Sequence, residues 1–476
     1  MYACFMCSSL YTSPTPSLSR AFTSSTISLL SMPACDGRVF KIVSLCPKPT
    51  RRDKFATIPG LFMARSRQYA LIAVVIVIVV SLALSIAPDY SPDVKTGQTI
   101  QIGAIVPLSG DLSSLGEDIL VASRFALDEF NSYLAEKDTP WRLDMTVEDS
   151  TTSPVTALEK MTSLKARGIN LVFGPLSSAE IRHVKGYADS NNMVIVSCCS
   201  NAPSLAIPGD GIFRMNMDHS HLGPALAHLM RHEGIDVMIP VWRGDTWGDG
   251  LRDYITESFE ELGGSVDEGI RYVPDTPDFS AAVSILAERV RLLADEMGSE
   301  KVGVIFIGFD EATIFFQTAS DYESLEKIRW FGTNANAGRS HLIDDPVASE
   351  FAHSVGYTAM QIAAGDNPIY EKIRNHALEK LGRTPPAYVY SAYDSISVLG
   401  LAIESAGVDP GMVKDAIPKV ADRYVGALGD IKLNEAGDLT GSDYEVIGIR
   451  DGAWIVLGTY VEGGAVILDD PLFDGT

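Results

Sequence analysis

The chain has 476 residues, with 38 Lys and Arg against 61 Asp and Glu, a formal net charge of −23. That length exceeds one ordinary domain, so two or more lobes are expected. The acidic balance argues against nucleic acid as a partner. Residues 1–62 hold seven Lys and Arg but two acids, Asp36 and Asp53, so the acidic excess lies in the body that follows.

Residues 1–62 are rich in Ser, Thr and Pro without helical or strand periodicity, and are read as a disordered or non-native upstream extension. Met63 opens a stretch with the form of a complete export signal. From Ala70 to Ala87 the chain is almost wholly apolar, with Arg65 and Arg67 before it. About 18–20 apolar residues span a bilayer, and flanking basic residues stay on the cytoplasmic side, which places the body outside. Ser85-Ile86-Ala87 offers a cleavage site but Pro88 follows, so an uncleaved anchor is favoured over a removed signal. Residues 63–98 are thus signal or membrane anchor plus tether.

At Ile100 repeated β–α alternation begins. Ile100–Val106 reads as a strand, Ile119 to Phe130 as an amphipathic helix, Leu143–Asp149 as a strand and Pro154–Arg167 as a helix. Leu171-Val172-Phe173 and Met193–Val196 are short, continuously apolar runs, as in parallel strands buried on both faces. A second series holds strands at Val237–Trp242, Arg271–Val273, Val302–Ile307 and Trp330–Asn334, with helices at Pro224–Glu233, Asp249–Leu262 and Phe279–Met297. A strand at Gly356–Ala359, helices at Pro368–Leu381 and Tyr388–Ala406, and a hairpin turning on Asp451-Gly452 complete the chain. Two successive sets of β–α units call for parallel sheets in two similar lobes.

The stretch Leu171–Pro203 carries most of the functional signal. Its two strands end in Gly174-Pro175-Leu176-Ser177-Ser178 and Ser197-Cys198-Cys199-Ser200-Asn201, at the carboxyl edge where open α/β sheets bind ligands. Ser177 or Ser178 can cap the helix through Glu180–Ala188, or its unpaired N–H groups can receive an anion. Cys198 and Cys199 can form a vicinal disulfide or sit as two buried thiols; the thiols are the simpler reading. His228 and His232 are four apart on a helix, but no third ligand is evident and no Cys-x-x-Cys has a matching second pair, so no metal site is expected. No Gly-x-Ser-x-Gly elbow, phosphate loop or His-Glu-x-x-His occurs, so an extracellular enzyme is disfavoured.

IGAIVPLSG, VFGPLSSAE, VIVSCCSNAP, FRMNMDHSHLG, WRGDTWGDG, AYDSI and GDIKLNEAGDL follow one another in this order. In that order they resemble the type I extracytoplasmic solute-binding proteins of ABC importers, in the Leu/Ile/Val-binding group. The resemblance covers roughly residues 100–460. It implies two Rossmann-like α/β lobes with parallel sheets and three hinge crossings. Residues 99–218 with 358–432 would form lobe 1, and 219–357 with 440–476 lobe 2. It implies a small polar solute, an amino acid or amide, held in the cleft without a cofactor and handed to an ABC permease and its ATPase. By position it carries ligand contact to Ser178, Cys199 and Asn201 from lobe 1, and to Trp247 and Phe309 from lobe 2. Trp247 is otherwise ordinary packing, and Asp218 a helix cap. At Asn334 the leucine-type proteins carry a Glu that pairs with the ligand ammonium. Either Asp310, Glu311 or Asp245 replaces it, or the ligand lacks a free amine. A ligand-sensing receptor ectodomain on the same fold is the alternative.

Overall fold

The computed structural model describes residues 26–33, 39–46, 97–363, 367–441, 443–461 and 463–469. The apolar run at Ala70–Ala87 lies outside the described residues. The chain divides into two compact units, Met1–Asp89 and Tyr90–Thr476. In the first, β1 (Thr26–Pro33) and β2 (Val39–Cys46) pair antiparallel, a ribbon that the Ser/Thr/Pro-rich composition does not announce.

The second unit contains two α/β lobes. In lobe 1, β3 (Gln98–Val106), β4 (Trp141–Asp149), β5 (Leu171–Phe173), β6 (Val194–Ser197) and β7 (Ile212–Arg214) form a parallel sheet in the order β4-β3-β5-β6-β7. Its connecting helices are α1 (Ser113–Glu136), α2 (Pro154–Ala166) and α3 (Ser178–Ser190). Side chains alternate across a strand. Leu171 and Phe173 therefore join one apolar core and Val172 the other, and all three are buried. That is why β5 reads as unbroken apolar sequence.

Lobe 2 repeats the winding. Strands β8 (Val237–Arg243), β9 (Ser265–Val266), β10 (Ile270–Tyr272), β11 (Val302–Ile307), β12 (Arg329–Phe331) and β13 (Thr358–Ile362) are parallel, in the path β10-β8-β11-β12-β13 with β9 also beside β8. Five helices link them: α4 (His219–His232), which precedes β8, α5 (Thr246–Glu261), α6 (Ser280–Met297), α7 (Ala312–Ala319) and α8 (Glu323–Glu326). Before β13 come α9 (Ser340–Asp344) and α10 (Pro346–Ser354), the latter capped by Asp345; the sequence reading leaves both unassigned. The helices α11 (Pro368–Leu381), α12 (Tyr388–Ala406) and α13 (Pro410–Ala421) return to lobe 1, where Tyr133 of α1 bonds Glu404 of α12 at 3.1 Å. A small hairpin, β14 (Val425–Gly426) with β15 (Gly429–Asp430), precedes the last three strands. These are β16 (Tyr444–Arg450), β17 (Ala453–Val461) and β18 (Ala465–Leu468), antiparallel on the edge of the second sheet. The β16–β17 turn has φ of 50° at Asp451 and 72° at Gly452, the left-handed pair that a tight Asp-Gly hairpin requires.

The chain crosses between lobes three times: after β7, between β13 and α11, and between β15 and β16. One boundary differs from the sequence-based division. Residues 358–362, assigned there to lobe 1, form β13 in the second sheet, between β12 and β16. Lobe 1 resumes only at α11.

Candidate functional site

Each sheet reverses its direction of winding at one place, between β3 and β5 in lobe 1 and between β8 and β11 in lobe 2. Loops at such switch points diverge and leave a crevice outside the strand ends. The two crevices face each other, and the backbone N–H of Asp310, after β11, donates to the carbonyl of Asp111, after β3, at 3.2 Å.

On the lobe 1 side the turn after β5 needs its glycine. Gly174 has φ of 76°, and a Cβ there would stand 2.2 Å from the carbonyl oxygen of Ile105. Ser177 then caps α3 in a reciprocal box: its Oγ accepts from Glu180 N at 3.2 Å, and Glu180 Oε2 accepts from Ser177 N at 3.0 Å. Ser177 therefore serves the helix. Ser178 ties the ends of β5 and β6 together. Its Oγ lies 2.9 Å from Ser200 Oγ and accepts the N–H groups of Asn201 and Ala202 at 3.3 and 3.2 Å. Cys198 and Cys199 are buried thiols with Sγ atoms 2.9 Å apart, and burial raises Cys199 well above an ordinary thiol.

On the lobe 2 side Asp245 accepts the N–H groups of Trp247 and Gly248, both at 2.9 Å. This cap starts α5 at Thr246, three residues before the expected start, and puts Trp247 on the first turn instead of in a loop. The Trp247 and Phe309 rings lie 4.8 Å apart, and the Arg243 guanidinium stands over Phe309 at 4.3 Å.

Between the lobes is a buried cavity of about 20 Å³, walled by Ser178 and Cys199 from lobe 1, Trp247 and Phe309 from lobe 2, Leu112 and Tyr388. A second cavity of about 10 Å³, lined by Asn334, Gln361 and Ala387, shares Tyr388 with it. Four expected residues, Ser178, Cys199, Trp247 and Phe309, thus meet at one cavity, and Asn334 lines its neighbour. Asn201 and Asp310 line neither. Asn201 is buried behind Ser178, its Oδ1 3.1 Å from His219 Nε2. Asp310 is engaged on both oxygens, by Arg339 Nη2 at 2.6 Å and Ser114 Oγ at 2.9 Å. The other two carboxylates, Glu311 and Asp245, also bond arginine, Glu311 through Oε1 while its Oε2 stays buried and unpaired. Glu311 accepts from Arg243 at 2.6 Å and Tyr272 at 2.8 Å, and Asp245 from Arg243 at 2.7 Å besides its cap. Asp218 caps α4, accepting Ser220 N at 2.9 Å. A larger concavity of 630 Å³ lies elsewhere on lobe 1, between α12 and α13. It is a groove between two helices, away from both switch points, and the cleft is the stronger candidate.

Sequence reasoning missed Ser114, Arg339 and Tyr388. Tyr388 opens α12, a helix recognisable only as core. Arg339 is the lone charge in the turn Thr333–Arg339, which follows β12. Ser114 Oγ accepts from Arg339 at 2.7 Å while donating to Asp310, and Arg243 reaches Asp111 across the cleft at 3.1 Å. These bonds hold the lobes together in a closed arrangement. Ser114→Ala is expected to shift the lobes toward opening by about 1–2 kcal/mol, since it removes one hydrogen bond from each of two charged groups that remain paired with each other; small-angle scattering should record a larger radius of gyration for the variant without solute.

Two doubly wound lobes closed over a buried cleft define the type I periplasmic-binding-protein fold. The family described as the receptor family ligand binding region matches residues 119–452, and the chain belongs to it. An uncharacterised protein of Methanocaldococcus jannaschii is 26% identical over 76% of this chain and 89% of its own length. A Leu/Ile/Val-binding protein of Rhizobium johnstonii is 24% identical over 73% and 90%. Glutamate receptor 2.4 of Arabidopsis thaliana is 21% identical over 80% of this chain but 44% of the receptor. Among solved structures, a leucine-binding protein of Thermotoga maritima superposes with a TM-score of 0.66 at 21% identity, covering 76% of this chain and 99% of that one. A solute-binding protein of an ABC transporter from R. palustris, in complex with benzoate, does so at 0.64 and 16%, covering 79% and 99%.

Proposed function

We propose that this chain is an extracytoplasmic solute-binding protein of an ABC importer, and that it captures a small polar solute, an amino acid or an organic acid, between its lobes. The observation that carries this reading is the buried cavity to which both switch points contribute, Ser178 and Cys199 from one lobe and Trp247 and Phe309 from the other. A volume of about 20 Å³ holds no more than a water, so entry of a solute requires the lobes to part and close again around it. Ser200 supplies a hydroxyl, and Trp247, Phe309 and Leu112 an apolar wall, the usual composition of a small-molecule site. The closed lobes would then be read by an ABC permease, whose ATPase drives transport. Attachment to the outer face of the membrane rests on the apolar run Ala70–Ala87.

The likeness to a plant glutamate receptor over 80% of this chain favours a sensing ectodomain as the second reading. Calorimetry of the purified chain against leucine, isoleucine, valine and benzoate tests solute capture, with saturable 1:1 binding and a smaller scattering radius expected on saturation. Conversion of any of these compounds to product would reject it in favour of an enzyme. Pull-down of an ABC permease from the source membranes separates importer from sensor.

A further inference from the structure

Arg339 is wholly buried at the junction of the two lobes. Only one of its nitrogens is used: Nη2 donates to Asp310 and to Ser114. Nε and Nη1 are enclosed without a hydrogen-bond partner. A guanidinium is always charged and presents five N–H donors, and leaving buried donors unmet is costly, more so when the group is charged. Arg339 itself lines neither cavity, but the loop that brings it in builds the walls of both. Ala335 lines the first cavity and Asn334 the second. A Cβ on Gly338 would lie 3.4 Å from Oε1 of Gln361, another lining residue. The backbone is fixed in turn by Trp454, whose Nε1 donates to the Arg339 carbonyl at 2.8 Å. The positive charge acts on the cavity residues themselves, pulling against the rise that burial imposes on Cys199 and Tyr388.

The negative groups around the cleft point the same way. The carboxylates that could meet a solute ammonium, Asp310, Glu311 and Asp245, are all bonded to arginines, with only Glu311 Oε2 left buried and unbonded. Asn334 Oδ1 and Gln361 Oε1, also buried and unbonded, are neutral acceptors. They suit a hydroxyl or amide hydrogen, not a desolvated cation, which needs a counter-charge.

We propose that Arg339 is a specificity-determining residue whose unbonded N–H groups receive the anionic group of the solute, so that the cleft takes small carboxylic acids lacking an ammonium. This rests on the solute-capture reading above. It adds a second grip to the lobe 1 contacts carried over by position, where Ser178 is saturated by lobe 1's own backbone and Asn201 turns Oδ1 to His219 but keeps Nδ2 buried and unbonded.

The test is calorimetry with two matched pairs, benzoate against benzamide and 4-methyl-2-oxopentanoate against leucine. Wild type is expected to bind each first-named acid at least about tenfold more tightly than its partner. Arg339→Gln combined with Asp310→Asn removes both members of the internal pair and so leaves no buried charge unpaired. It should lower affinity for the acids by about 10–100-fold more than for benzamide, collapsing the acid-to-amide ratio. Arg339→Lys, which keeps the charge but not the planar donor set, should fall between. Circular dichroism melts establish that each variant is folded. A wild-type acid-to-amide ratio in the folded Arg339→Gln, Asp310→Asn variant overturns the assignment. So does tighter binding of leucine than of its 2-oxo analogue, while leaving solute capture intact. Failure of all four compounds to bind wild type removes both this assignment and the reading beneath it.

Discussion

Asp438→Ala is expected to lower folding stability by about 3–5 kcal/mol, a large fraction of the margin that keeps an ordinary domain folded. The side chains of Arg214, at the end of β7, and Asp438 are 1% and 2% exposed. Arg214 Nε donates to Asp438 Oδ1 at 2.5 Å, Nη2 donates to Oδ2 to complete a two-pronged pair, and Nη1 donates to the Ala202 carbonyl at 2.7 Å. The backbone of Arg214 is also bonded on both sides, its N–H to Gly437 O and its carbonyl to Leu439 N, each at 2.9 Å. A late segment is thereby stitched to the edge of the first sheet, just before the last crossing into lobe 2. Truncating either partner leaves the other charged and buried, which is the source of the cost. Replacing both with apolar residues of similar volume, Arg214→Met with Asp438→Leu, should recover most of it. Urea denaturation of the two single variants and the double variant checks this. A double variant as unstable as the sum of the singles would mean that the backbone stitching, not the ion pair, sets the energy.

The fold was largely legible because buried parallel strands write themselves plainly. Leu171–Phe173, Val237–Trp242 and Val302–Ile307 are unbroken apolar runs, and the helix at Tyr388–Ala406 has the bounds read from sequence. What escaped was what depends on partners distant in sequence. The assignment of β13 to the second sheet is decided by β16, which lies far along the chain. The start of α5 is decided by one carboxylate, Asp245, that could equally have been a loop residue. The site divides in the same way. Ser178, Cys199, Trp247 and Phe309 stand at strand ends, where topology alone directs side chains into the crevice, and they do meet there. Asn201 and Asp310 stand at strand ends too. They are diverted by His219 and by Arg339 with Ser114, contacts between segments far apart in the chain. Arg339 itself sits in an irregular turn with no period to betray it.

The second large effect expected is acid sensitivity centred on His219 and His341. Burial, assisted by Arg214, holds His219 down to about 3. Burial holds His341 down to about 4, Asp310 opposing and Arg339 and Arg383 assisting. In the unfolded chain each takes up a proton near 6.5. Above that pH neither affects stability. As the pH falls from about 6.5 toward about 4, the unfolded chain binds protons that the native protein refuses, and stability is lost. The loss is about 2 kcal/mol for each histidine at about pH 5. Asp394 works in the other direction. Burial outweighs its bonds to Ala427 N, Leu428 N and Tyr424 and raises it to about 6 from its ordinary 3.8. Between those two values the native protein holds the proton more tightly and gains stability. The net curve therefore mixes opposed contributions, and the clean measurement is a difference. Melts of wild type and His219→Gln at about pH 7 and pH 5 should diverge, the variant losing about 2 kcal/mol less on acidification. Equal losses would mean that His219 is protonated in the native state. The solute site should share the sensitivity, because His219 bonds Asn201 and its ring meets Trp247 edge-on at 6.2 Å. A proton on Nδ1, which is buried without a partner, would push apart the contacts that back both walls of the cleft.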